Sequence, residues 1–218
     1  MPKNLRYYCY FTPQYKAEAD KMYPTFAKNQ IHVNLVPFGT EGDWMLNCLK
    51  RPSMLHQAML FNMTPVCLLD SDLECLKPPI LLEGDFDVAC EFRGPKFPEY
   101  RKYSAGIVAF NTTDLGIATL EAWKKLCDKD PEPTAMLREQ LYLRDAITYV
   151  KPRFLNLPNS YNAKPEQVKK DTVIIHNVAS RRIKKEKKNV GKPKSLHRDR
   201  RQASHQHEGT ATLNSFAY

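Results

Sequence analysis

The chain has 218 residues, 42% of them hydrophobic, and a formal net charge of +9; that length and apolar content suit one well-buried core rather than two small ones. Arg181 to Gln202 holds eleven Lys and Arg against Glu186 and Asp199, which accounts for the whole excess, so a polyanion-binding face on the body of the protein is not indicated and the basic character belongs to a tail. No run approaches the roughly 18 apolar residues of a membrane-spanning helix.

In chain order, Leu5 to Phe11 is aromatic and apolar and reads as a strand, after which Thr12 and Pro13 supply a cap and a first-turn proline for a helix running toward Lys28. Ile31 to Pro37 is a second strand. A polar loop with Gly39 and Gly42 follows, and Pro52 is expected to open a second helix, with Met54, Leu55, Ala58, Met59 and Phe61 near helical spacing. Pro65 to Leu69 is short, wholly apolar and ends abruptly at Asp70, as a central parallel strand covered on both faces does. Phe86 to Phe92 and Gly106 to Phe110 are further strands, separated by a loop rich in Pro, Arg, Lys and Tyr. Leu115 to Asp128, capped by Asp114, and Met136 to Tyr149 read as helices, and Phe154 to Leu157 and Thr172 to His176 as the last strands. Strands alternating with helices predict an α/β fold with a mainly parallel central sheet flanked by helices. The expected organisation is one domain over residues 1–180, then a basic, flexible tail over 181–218, whose composition cannot offset its ordering entropy.

Cys9, Cys48, Cys67, Cys75, Cys90 and Cys127 form no C-x-x-C pair and lie mostly among apolar residues, as reduced core thiols do. Met1-Pro2-Lys3-Asn4 leads directly into strand pattern without a secretory leader, so the cytoplasm is the expected location.

The chemistry concentrates at Asp70-Ser71-Asp72. In open α/β sheets ligands gather beyond the carboxyl ends of the strands. Two aspartates there, one residue apart, can share a hard divalent cation whose remaining positions take phosphate oxygens and water, and such a cation offsets the charge on a departing diphosphate. The same tripeptide also suits a plain strand-end turn, so its surroundings decide. The segment Pro65 to Pro79 resembles the D-x-D region of GT-A nucleotide-sugar glycosyltransferases, where an apolar strand runs into the motif and a hydrophobic strand leaves it. The resemblance covers most of residues 5 to 180 in the order that fold requires. Tyr10 to Tyr15, with Tyr10 and Thr12, is similar to the donor-nucleotide loop. Asp43-Trp44, Asn47 and Lys50-Arg51-Pro52 resemble the loop and helix start that bring a basic residue to the diphosphate. Ser104 to Asn111 is similar to the acceptor-side N-x-G-hydrophobic-F-N element, and Glu139-Gln140 with Leu141 and Leu143 to the D-Q-x-x-L element of retaining family-eight enzymes. Leu157-Pro158, Tyr161-Asn162 and Ile174-Ile175-His176 are similar to the closing elements. His176-Asn177-Val178-Ala179-Ser180-Arg181-Arg182 departs from the family-eight ending H-x-x-G-x-x-K-P-W, with Arg181 or Arg182 in place of its lysine charge.

The resemblance implies a metal-dependent glycosyltransferase of hexosyltransferase type. It would take a nucleoside-diphosphate sugar, with UDP-sugars favoured, and an acceptor glycan, protein or small molecule. Asp70, Asp72 and His176 would hold Mn²⁺ or Mg²⁺, since neutral imidazole is a competent third ligand. Tyr10, Thr12, Lys50, Arg51, Asp70 and Arg181 would face the donor, and Gln140 and Glu91 the reacting sugar. Glu139-Gln140 tilts the reading toward retention. Taken residue by residue, other roles are open: Glu91 as a strand-end acid, Gln140 as a helix-surface residue, Lys50 and Arg51 on a solvated face, Trp44 and Trp123 as packing residues. A haloacid-dehalogenase-type phosphatase would place its aspartates close to the N-terminus and carry Thr or Val where Glu74 stands. A sugar nucleotidyltransferase would carry a glycine-rich loop where Tyr10 to Tyr15 has no glycine. The non-enzymatic rival is a module that binds nucleic acid, another polyanion or an anionic membrane surface through the tail, with strong salt dependence.

Overall fold

Alternation along the first strand builds the core on both sides at once. In β1 (Arg6–Phe11), Tyr7, Cys9 and Phe11 enter one apolar cluster while Tyr8 and Tyr10 enter the other, as the two-residue period of a strand requires. In this computed structural model, residues 4–39, 44–130, 138–177 and 179 are described.

A 3-10 turn over Pro13–Tyr15 leads into α1 (Lys16–Lys28), which lays Ala19, Met22 and Phe26 on the first face. β2 (Val33–Pro37) returns parallel to β1. α2 (Trp44–Asn62) carries Leu49, Leu55 and Met59 into the second cluster. Pro52 was expected to open this helix and instead lies inside it. Asn47, Cys48 and Leu49 are already buried upstream, and that packing outweighs the backbone hydrogen bond that an internal proline removes.

β3 (Val66–Leu69) is buried throughout and pairs parallel with β1; burying its two leucines is worth ~1.5–3 kcal/mol each. β4 (Leu73–Cys75) follows the acidic turn, then come β5 (Val88–Phe92) and β6 (Tyr103–Phe110). α3 (Asp114–Asp128) is capped by Thr113 rather than Asp114: the Thr113 hydroxyl accepts the Gly116 N–H at 3.1 Å and donates to Asp87 at 2.8 Å. That hydroxyl joins the helix start to the sheet, which Asp114, already inside the first turn, cannot do. α4 (Arg138–Val150), β7 (Phe154–Asn156) and β8 (Ile174–His176) complete the described elements; the start expected for α4 at Met136 lies outside the described residues, as does the tail.

The six-stranded sheet has the order β2-β1-β3-β6-β5-β7. β6 alone runs against its neighbours, so the expected mainly parallel α/β arrangement is observed. α1 covers one face, together with the short antiparallel pair β4-β8, and α2, α3 and α4 cover the other. All six cysteines are free and buried. Among the described residues no helix is long and apolar enough to cross a membrane.

Candidate functional site

β1, β3 and β5 run in one direction and β6 in the other, so the residues that leave the first three and enter the fourth share one edge of the sheet. That edge gathers Thr12, Asp70, the end of β5 at Glu91 and the start of β6 at Ser104. β4 and β8 add a second layer there: Leu73 pairs with His176, and so brings a residue from the far end of the domain against the acidic turn.

The outcome is a three-residue cluster. One ligand atom from each of Asp70, Asp72 and His176 lies within 4.8 Å of the others. His176 Nε2 is 3.2 Å from Asp72 Oδ1 and 3.5 Å from Asp70 Oδ2. The second Asp72 oxygen accepts the Ala179 N–H at 2.5 Å, and the Asp72 carbonyl accepts the Asn177 N–H at 3.0 Å, which pins the turn to the chain beyond β8. Burial works against the charge on both partners. The mutual hydrogen bond and charge outweigh it, so the Asp72 pKa lies below the usual carboxylate range and that of His176 above the usual imidazole range. Gly106 floors the cluster: a Cβ there would stand 3.1 Å from Asp70 Oδ2 and 3.3 Å from His176 Cε1. Two carboxylates and one imidazole, convergent over a glycine, fit a divalent cation such as Mn²⁺.

Arg51, on α2, is drawn inward between two acids. Its Nε and one terminal nitrogen bind the Glu139 carboxylate at 2.9 and 2.6 Å, and the other terminal nitrogen binds Asp70. Burial pushes the Glu139 carboxyl up to about 7, with the Arg51 charge opposing it. Trp123 is fully buried, stacks on Phe110 and donates its Nε1–H to the Glu139 carbonyl at 2.9 Å, so it is a packing residue.

A polar chain backs His176 on its other side. Nδ1 lies 2.8 Å from the Asn162 amide oxygen, and the Asn162 nitrogen donates to Glu91 at 2.5 Å and to Ser104 Oγ at 3.2 Å. Arg93 clamps the same pair, reaching Glu91 and Ser104 at 3.0 Å each. Glu91 sits where the β5-β6 register shifts, between Cys90 and Phe92, a place where bulges re-aim side chains.

Of the other residues singled out in the sequence, Tyr10 is buried in β1 and stacks on Tyr8 with ring centroids 5.9 Å apart. Thr12 is buried at the sheet edge with its hydroxyl unpartnered among the described residues, and Gln140 Oε1 is likewise buried and unpartnered. Lys50 is exposed on α2. Arg181 and Arg182 lie outside the described residues, as does the Trp44 side chain. Four residues of the site carried no individual contact role in the sequence: Glu139, Asn162 and Ser104 stood there only as members of the similar elements, and Arg93 only in the loop before β6. A buried acid beside a candidate catalytic amide, and a Tyr-Asn pair shortly before the last strand, were the available signals.

No protein-family model matches the chain, and no curated protein matches its sequence. Solved structures do. A glycosyltransferase involved in the glycosylation of the major capsid of PBCV-1 superposes with a TM-score of 0.60 at 15% identity, over 83% of this chain and 99% of that one. The glycosyltransferase GlyE of Streptococcus pneumoniae TIGR4 superposes with a TM-score of 0.53 at 13% identity, over 79% of this chain and 55% of GlyE. Its apo form gives 0.51. This chain therefore spans about half the length of GlyE and nearly all of the capsid-modifying protein. At these identities the likeness establishes the fold, which is the GT-A-type α/β fold of these glycosyltransferases.

Proposed function

We propose that this chain is a metal-dependent glycosyltransferase that moves a hexose from a nucleoside-diphosphate sugar, with UDP-sugars favoured, to a hydroxyl of a glycan, protein or small-molecule acceptor. The observation that carries the reading is the convergence of Asp70, Asp72 and His176 at the carboxyl edge of the sheet, on a fold shared with glycosyltransferases. Asp70, Asp72 and His176 hold the Mn²⁺ or Mg²⁺, which when bound offsets the charge of the leaving diphosphate. The unpartnered Thr12 hydroxyl and Gln140 carbonyl oxygen find their partners in the donor, Thr12 with Tyr10 on the nucleotide side and Gln140 beside the sugar. Lys50 and Arg181 supply positive charge toward the phosphates. Arg51 acts as the counterion of Asp70 and Glu139 rather than as a direct phosphate ligand.

Each described carboxylate around the site is engaged: Asp70 and Asp72 by His176, Glu139 by Arg51, Glu91 by Arg93 and Asn162. None is left as the positioned base that inversion requires, which favours retention. The buried free thiols favour a reducing compartment such as the cytoplasm.

A thermal-shift panel of nucleotide sugars with and without Mn²⁺ tests the reading. A cognate donor at a hundred times its Kd stabilises by ~2.7 kcal/mol, or about 5–10 °C for a domain of this size, and Asp72→Ala removes the metal-dependent part. No shift with any donor under any metal condition, or full donor hydrolysis in Asp72→Ala, would sink it.

A further inference from the structure

We propose that Asn162 is a positioning residue that fixes the His176 ring with its proton on Nδ1, so that Nε2 turns its lone pair toward Asp70 and Asp72. The inference rests on the reading of those three residues as cation ligands.

The argument runs inward from Arg93. Its guanidinium only donates, and it donates to Glu91 Oε2 at 3.0 Å, so the oxygen that also faces Asn162 is an acceptor. The Asn162 atom 2.5 Å from Glu91 must then be the amide nitrogen, whose other hydrogen reaches Ser104 Oγ at 3.2 Å. Ser104 Oγ is held in place by Arg93 at 3.0 Å and by the Gly106 N–H at 3.4 Å. With the nitrogen committed twice, the amide oxygen faces His176 Nδ1 at 2.8 Å. An amide oxygen only accepts, so Nδ1 carries the hydrogen.

That constraint matters because the opposite face pulls the other way. Nε2 stands 3.2 Å from Asp72 and 3.5 Å from Asp70, and two carboxylates draw a ring proton to the nitrogen they face. A neutral His176 protonated on Nε2 cannot ligate a cation there. The Arg93-Glu91-Asn162 chain is the counterweight that keeps Nε2 available, in the way a metal-bound histidine is oriented through its other nitrogen.

The test uses the full chain and two readouts. Ring ¹⁵N NMR of histidine-labelled, metal-free protein, at alkaline pH where the ring is neutral, reports the tautomer, with His176→Gln identifying the resonance. Titration with Mn²⁺ alone, followed by the loss of the free-ion EPR signal, reports affinity. The wild type is expected to show the Nδ1–H form; Asn162→Ala is expected to shift toward Nε2–H and to bind Mn²⁺ ~10–100-fold more weakly. Should Asn162→Ala fail to fold, Glu91→Gln carries the test. A glutamine both donates and accepts, so it releases the direction of the amide and is expected to give a tautomer mixture and weaker binding. A wild-type His176 protonated on Nε2, or a folded variant with the wild-type tautomer and Mn²⁺ affinity, overturns the inference. Absence of Mn²⁺ binding in the wild type would overturn the cation reading instead, and the ring spectrum would still decide the role of Asn162.

Discussion

Replacing Arg51 by methionine is expected to be costly at neutral pH and nearly free in mild acid. The Arg51 side chain is 11% exposed and that of Glu139 5%, so methionine fills similar volume but strands a buried carboxylate. Removing one partner of a buried pair costs ~3–5 kcal/mol, which at about 2–4 °C per kcal/mol for a domain of this size lowers the Tm by ~6–20 °C. Burial holds the native Glu139 pKa near 7 even with Arg51 opposing it, against ~4.3 for an unfolded glutamate. Between those values the native state retains a proton that the unfolded chain has released, so the contribution of Glu139 to stability falls as pH rises. Without Arg51 the native value climbs further. Arg51→Met should therefore lose its full increment in urea melts at pH 8 and little at pH 5, where Glu139 is protonated in the folded state. Adding Glu139→Leu should restore most of the stability at pH 8, because an apolar pair of similar volume carries no desolvation cost, while Asp70, 25% exposed, can turn to water. A loss below ~1 kcal/mol at pH 8, equal losses at both pH values, or a double variant as unstable as the single one would refute the reasoning.

Asp87→Ala should destabilise by ~2–4 kcal/mol in denaturant melts, since Asp87 is 2% exposed and accepts from the Arg153 backbone N–H at 2.7 Å and from the Thr113 hydroxyl at 2.8 Å. Burial opposes its charge, but the Arg153 and Thr113 hydrogen bonds hold its pKa below the usual range; its contribution is therefore present above about pH 4 and is lost as pH falls through the lower native value. Gly106→Ala should fold, with stability reduced by ~1–3 kcal/mol, and should bind Mn²⁺ at least ~10-fold more weakly by EPR titration, because the new methyl group presses on Asp70 and His176. Wild-type affinity in that variant would mean the cation sits elsewhere.

Much of this fold was legible because local signals agreed. The wholly apolar run ending at Asp70 suits a covered strand with its charge at the carboxyl edge, as observed, and the histidine that ends the last strand lies beside both aspartates. What the sequence misled on were places where one tertiary contact decides between neighbours. Pro52 looks like a helix start until the buried Asn47 to Leu49 upstream is known. Thr113 and Asp114 are both good caps until Asp87, just ahead of β5, claims the threonine hydroxyl. Arg51 and Glu91 read in the sequence as groups facing a ligand, and the structure adds that each is held by a partner far along the chain, Glu139 for one and Asn162 for the other. No local pattern announces such pairings, because each joins residues far apart in the chain, 88 positions for Arg51 and Glu139 and 71 for Glu91 and Asn162.

β8 is three residues long: one edge pairs with the three residues of β4, and the other is held by a single bridge between Ile175 and Ala163. A ladder that short can detach without the large sheet opening, yet it delivers His176 and, through the chain just beyond it, the N–H groups that hold Asp72. The site is thus complete only while this strand is seated, and whatever binds all three side chains locks it there. Occupancy should be written into exchange kinetics: amides of β8 and of the turn it grips become slow to trade hydrogen for deuterium when the site is filled, while those of β1 and β3 keep their pace.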